Sequence, residues 1–162
     1  SKIQLDVLKA STSKLISNDA IDLAVFISEN IGLDTTTIPL QMYASAELSA
    51  LQNKYDEAFL TLDSIALIYP DHELEDDIWY LKANIYSNQK DFEKAVGFYQ
   101  KVIDKHADDI RGDNAMYELA QLYENVLNQK EKAIAIYETI FIDFSNSTFA
   151  IEARKRYRVL TE

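Results

Sequence analysis

The sequence predicts an all-α fold in which short helices pair into hairpins and the hairpins stack as a solenoid. Three observations predict it. Glycine and proline are scarce, three and two in 162 residues, so sandwiches and barrels lack the turn residues they need. Small, aromatic and aliphatic residues recur at helical spacing. The pattern also returns at a fixed interval. In "NDAIDLAVFI", "KYDEAFLTLDSI", "DFEKAVGFYQKVI" and "KEKAIAIYETI", Ala20, Ala58, Ala95 and Ala133 stand 38, 37 and 38 residues apart, which is the mark of a repeat architecture.

The elements follow in order. Residues 2–16 and 19–31 read as a degenerate first hairpin, with Ala20, Ala24 and Ile27 on its inner stripe. Asp34 and Thr35 are the expected caps of a third helix, with Pro39 in or near its first turn, where proline is tolerated. Each later hairpin pairs a small residue on its first helix with one on its second. The pairs are Ala46 with Ala58, Ala83 with Ala95, and Ala120 with Ala133, separated by 12, 12 and 13 residues. Two antiparallel helices joined by a short turn approach closely only where both side chains at the crossing are small.

Around the crossing, Trp79, Ala83 and Tyr86 form one stripe and Ile78, Leu81 and Ile85 a second beside it. That arc is wider than one partner helix covers, so each hairpin must also bury a side against its neighbours. Leu62, Tyr99 and Tyr137 continue the second-helix stripes, and the ten tyrosines are expected to fill gaps between hairpins with their hydroxyls at the rim. Units end alike at Tyr69–Pro70, His106–Ala107 and Phe144–Ser145. From residue 147 a ninth helix closes the array, with Ala153 and Tyr157 inward. Arg154, Lys155, Arg156 and Arg158 supply the polar cap that a solenoid end requires. The expected organisation is one domain: a degenerate hairpin over 1–33, repeats over 34–70, 71–107 and 108–145, and a capping helix over 146–162. A start at Ser1 directly in a helical pattern fits a piece of a longer protein.

Composition narrows the function. A hydrophobic content of 48% supports a packed core rather than disorder, and the lack of cysteine removes disulfides and thiolate metal sites. No run of 18 apolar residues spans a membrane. A net charge of −11 repels nucleic acid and anionic headgroups, so the expected partners are proteins or peptides. Residues 1–153 hold 12 Lys/Arg against 26 Asp/Glu, whereas the last nine residues carry four basic side chains against Glu162.

The segment "IWYLKANIYSNQKDFEKAVGFYQKVIDKHADD" resembles the tetratricopeptide repeat, matching at Trp79, Ala83, Tyr86, Ala95 and Tyr99, with Ala107 in place of the usual proline. Residues 38–70 match at Ala46, Ala58 and Pro70, with Met42 for the tryptophan and Ser49 for the tyrosine. Residues 115–145 keep Ala120, Tyr123 and Ala133 with one residue inserted in the turn. The resemblance implies a right-handed α-α superhelix that acts as a protein-interaction scaffold. The long inter-repeat segments "YPDHELEDD" and "HADDIRGDN" resemble those of Gram-negative bacterial envelope repeat proteins, which puts the periplasm or cell envelope ahead of the cytoplasm.

The family geometry implies that the first helix of each hairpin lines a concave groove. Tyr43, Tyr80 and Tyr117 recur there at intervals of 37, followed one turn later by Glu47, Asn84 and Gln121, and then by Leu51, Asn88 and Glu124. Rings supply contact area at low entropy cost and amides can bond a peptide backbone, so this ladder suits an extended segment. The same tyrosines also suit inter-repeat packing. The Lys/Asn/Arg clamp by which chaperone-binding relatives hold a C-terminal carboxylate is absent, since Asn84 is flanked by Tyr80, Asn88, Tyr117 and Gln121. Glu47 and Glu124 favour a neutral or basic segment instead. An architectural spacer or self-association module is the alternative. Catalysis has no visible seat: there is no nucleophile motif and no phosphate loop. His72 and Asp76 at helical spacing are too few ligands for a metal, and no cofactor is implied.

Overall fold

A computed structural model describes residues 37–162. The hairpin expected over residues 1–33, with Ala20, Ala24 and Ile27, and the caps Asp34 and Thr35 lie outside the described residues. Those described form seven α-helices and no strand: α1 Thr37–Leu51, α2 Tyr55–Ile68, α3 Glu75–Asn88, α4 Phe92–His106, α5 Ile110–Asn125, α6 Lys130–Asp143 and α7 Ala150–Thr161. The chain divides into two compact units, Ser1–Ile78 and Trp79–Glu162.

In the first unit α1 packs on α2. Pro39 is the third residue of α1, where its missing N–H costs nothing. Met42, Ala46 and Ser49 form the buried stripe of α1 against Ala58, Leu62 and Ile65 of α2. Met42 and Ser49, which depart from the repeat's usual Trp and Tyr, are each only 2% exposed. Ser64 is buried as well, and its hydroxyl is satisfied by donating to the Leu60 carbonyl at 2.6 Å.

The second unit has one continuous core, built from Ala83, Ala95, Tyr99, Val102, Met116, Leu119, Ala133, Tyr137, Ile140 and Ala153 among others. Consecutive helices pack in order, α4 on α5, α5 on α6 and α6 on α7. All six crossing alanines, Ala46, Ala58, Ala83, Ala95, Ala120 and Ala133, have no exposed surface, as a close two-helix crossing demands. Where α5 starts beneath the end of α4, a Cβ on Gly112 would strike the His106 and Ala107 carbonyl oxygens, so only glycine fits.

The tight turn within each hairpin is made the same way. Asn53, Lys90 and Asn128 have φ of 60°, 62° and 52°, the left-handed conformation that ends many helices. Lys54 N–H reaches back to Ser49 O at 2.8 Å and Asp91 N–H to Tyr86 O at 2.9 Å, satisfying carbonyls the helix would otherwise orphan. In the third turn, one residue longer, Leu127 N–H bonds Leu122 O at 3.0 Å and Gln129 N–H bonds Tyr123 O at 2.9 Å. Asp91 also caps α4 by accepting from Lys94 N–H at 3.4 Å.

The closing helix α7 buries Ala150 and Ala153. Tyr157 meets Phe141 edge-on, with centroids 5.2 Å apart. Arg156 does not join the basic outer face as the sequence suggests. It turns back and pairs with Glu124 of α5, leaving Arg154, Lys155 and Arg158 exposed.

Candidate functional site

On α3 and α5, residues four apart share a face. This aligns Tyr80 with Asn84, and Tyr117 with Gln121. Both tyrosines are half-buried, as are both amides. Each pair is braced from behind by a core tyrosine of the following helix. The Tyr80 and Tyr99 rings lie 6.0 Å apart at 59°, and the Tyr117 and Tyr137 rings 6.3 Å apart at 63°. The Tyr99 hydroxyl donates to Asn84 Oδ1. One repeat later, Gln121 Nε2 donates to the Tyr137 hydroxyl at 2.7 Å and to that of Tyr117 at 3.3 Å. The same constellation of two tyrosines and an amide thus occurs twice.

The second copy is more elaborate. Tyr137 donates its proton to Glu124 Oε2 at 2.6 Å, Arg156 holds the same carboxylate, and Asn125 Nδ2 donates to Gln121 Oε1 at 3.1 Å. Burial alone would raise the Glu124 pKa. The hydrogen bonds from Arg156 and Tyr137, with the guanidinium charge, outweigh it and hold the carboxyl below its ordinary value. Burial first, then the Glu124 hydrogen bond and charge, push the Tyr137 phenol far up; burial and the Glu118 carboxylate do the same to Tyr99. Both phenols therefore stay neutral hydrogen-bond donors.

The other ladder positions are placed differently. Tyr43 is buried, 8% exposed, and its hydroxyl donates to the Asp77 carbonyl at 3.4 Å. Glu47, Leu51 and Asn88 are exposed, Leu51 at 81%. Glu124 is neutralised by Arg156. The negative charge at the ladder is that of Glu118, which raises the Tyr80 and Tyr99 phenols after burial has done so, and of Glu152 and then Glu118 beside Tyr117, whose phenol burial again raises first. Arg111 sits 4.9 Å from the Tyr80 ring centroid, and Phe149 stacks on Tyr117 at 4.6 Å. Sequence reasoning did not assign Arg111, Glu118, Phe149 and Arg156 to this face. The 37-residue register carried a signal only for groups on equivalent helices, and Phe149 and Arg156 approach from outside that register.

No described helix is long and apolar enough to cross a membrane.

Paired helices with alanine crossings, stacked in sequence, define the class: an all-α solenoid of helical hairpins. Residues 76–104 and again 114–147 match the Tetratricopeptide repeat family, so the chain carries tetratricopeptide repeats over these two stretches. No curated protein matches it. Such repeats are protein–protein interaction modules, and the family is in general a non-catalytic scaffold.

Proposed function

We propose that the chain holds an extended, neutral or basic segment of a partner protein along the tyrosine–amide face of α3 and α5. The observation that carries this reading is the doubled constellation of Tyr80, Asn84 and Tyr99 and of Tyr117, Gln121 and Tyr137, with Tyr80 and Tyr117 partly exposed yet held in place. Aromatic rings already fixed by their neighbours lose little entropy when a ligand lands on them. Glu118 supplies the charge that prefers a basic over an acidic segment. Asn88 extends the face on α3. Tyr43, Glu47 and Leu51 occupy the corresponding positions on α1, with Glu47 and Leu51 exposed.

A second reading has an observation of its own. Gln121 already uses both its Nε2 and its Oε1 within the fold, as expected if the network serves packing and the chain is an architectural spacer or self-association module. Selecting binders from a random peptide library displayed on phage separates the two. Under the ligand reading, selected peptides bind Tyr80→Ala/Tyr117→Ala about tenfold more weakly, at a temperature where circular dichroism shows the variant folded. Peptides that bind the variant equally well would leave the spacer reading standing.

A further inference from the structure

The second unit repeats one junction between hairpins with its charges rearranged. At an interval of 37, Tyr80, Asn84 and Ser87 return as Tyr117, Gln121 and Glu124. Past the residue inserted after α5 the interval is 38, which carries Arg111 to Phe149, Ala115 to Ala153 and Glu118 to Arg156. The register holds in space. Ala115 and Ala153 both have no exposed surface, and Arg111 lies over the Tyr80 ring as Phe149 lies over that of Tyr117.

In the later junction Glu124 of α5 is met by Arg156 of α7. The same two positions in the earlier junction hold Ser87 on α3 and Glu118 on α5. A carboxylate stands where the guanidinium stands in the next copy, and the position facing it offers only a hydroxyl. The cations of this face are committed elsewhere, Arg111 to the Tyr80 ring and Arg156 to Glu124. At the Tyr80 phenol the influence of Glu118 outweighs that of Arg111. Glu118 is open to solvent, yet burial raises its carboxyl, and no hydrogen bond or ion pair among the described residues offsets that. A partly desolvated carboxylate without a counter-charge gains from a cation brought to it.

We propose that Glu118 anchors one arginine side chain of the partner, its guanidinium forked onto the carboxylate beside the Tyr80 and Tyr117 rings. The subsite rests on the segment-binding reading of the same face and names the residue that the segment carries there. The fold already contains both halves of such a contact, Arg156 on a carboxylate and Arg111 on a phenol ring. A planar guanidinium can give a carboxylate two parallel N–H bonds and lie flat on a ring, which the compact, strongly hydrated ammonium of lysine cannot do. An acidic side chain in the same place would meet Glu118 as a like charge.

The probes are acetylated and amidated Gly-Gly-X-Gly-Gly peptides, with X arginine, lysine or citrulline, the neutral isostere of arginine, titrated into isotope-labelled protein by NMR. The arginine peptide should shift α5 amide resonances saturably and bind more tightly than the other two. Glu118→Gln should weaken it about fivefold and leave the citrulline peptide unchanged. Ser87→Arg should supply from within what Arg156 supplies in the next junction, raising the melting temperature and abolishing the preference for arginine. The proposal is overturned if the arginine peptide gives no saturable shift, if lysine or citrulline binds as tightly, or if Glu118→Gln binds the arginine peptide as well as the native chain does. Phage-selected peptides that need Tyr80 and Tyr117 but not Glu118 would sink the anchor and leave the segment reading standing. Glu118-dependent binding of the arginine peptide, with no selected peptide that depends on Tyr80 and Tyr117, would do the reverse.

Discussion

Among the differences between the α1–α2 hairpin and the two hairpins after it, one pair of positions is coupled. The second helix presents Leu62 in the first and Tyr99 and Tyr137 in the others, all within 2% of full burial. The first helix presents exposed Glu47 in the first hairpin, against half-buried Asn84 and Gln121. The two differences belong together. A buried phenol must spend its hydroxyl on a partner, and an amide one helix away can supply it. A leucine makes no such demand, and the facing position is left to solvent, where glutamate is at ease. Part of what looks like a ligand-reading ladder is thus set from behind, by what the core helix buries.

The largest way to break this comparison is to remove the phenol. Tyr137→Ala should cost about 3–5 kcal/mol, like any large-to-small core change, as read by urea titration. Tyr137→Phe keeps the ring but strips a hydrogen bond to a charged carboxylate, and should cost about 1.5–3 kcal/mol. Tyr99→Phe, whose partner is a neutral amide, should cost about 0.5–1.5 kcal/mol. Equal losses would mean that Glu124 adds nothing to the second copy.

The comparison sharpens if the first hairpin is converted to the type of the others. Leu62→Tyr alone should destabilise by about 1–3 kcal/mol through overpacking and an unsatisfied hydroxyl. Adding Glu47→Gln should recover about 0.5–1.5 kcal/mol, a coupling measured by a double-mutant cycle. No coupling would show that the register between Glu47 and Leu62 is not that between Asn84 and Tyr99.

A smaller effect separates the second copy by pH. The Glu124 carboxyl is held below its ordinary value of 4.5, so its stabilisation is complete above that pH and fades as pH falls through the lowered value. The melting temperatures of the native chain and of Arg156→Gln should therefore differ above pH 4.5 and converge on acidification. A gap that persists in acid would assign the effect of Arg156 to packing.

The smallest effect compares the turns. Lys90 adopts φ 62°, a strained value for a lysine, whereas Asn53 and Asn128 are residue types that tolerate it. Lys90→Gly should stabilise by up to about 1 kcal/mol, and Asn53→Gly by a few tenths. Thermal melts resolve the two.

The helical hairpins were legible because their determinant is local and periodic. An alanine at each crossing recurs every 37 or 38 residues, and steric closeness leaves no other residue that serves as well. The stripes of Ala95, Tyr99 and Val102 and of Ala133, Tyr137 and Ile140 followed from the period of the helix alone.

What only the tertiary structure decided is who satisfies whom. That Asn84 meets Tyr99, that Gln121 bridges two phenols, and that Arg156 abandons the outer face for Glu124 all depend on the offset and tilt between packed helices. A residue period fixes which face a side chain lies on, but not which atom on the neighbouring helix comes within 3 Å of it. The sequence by itself determined the faces, and packing chose the partners.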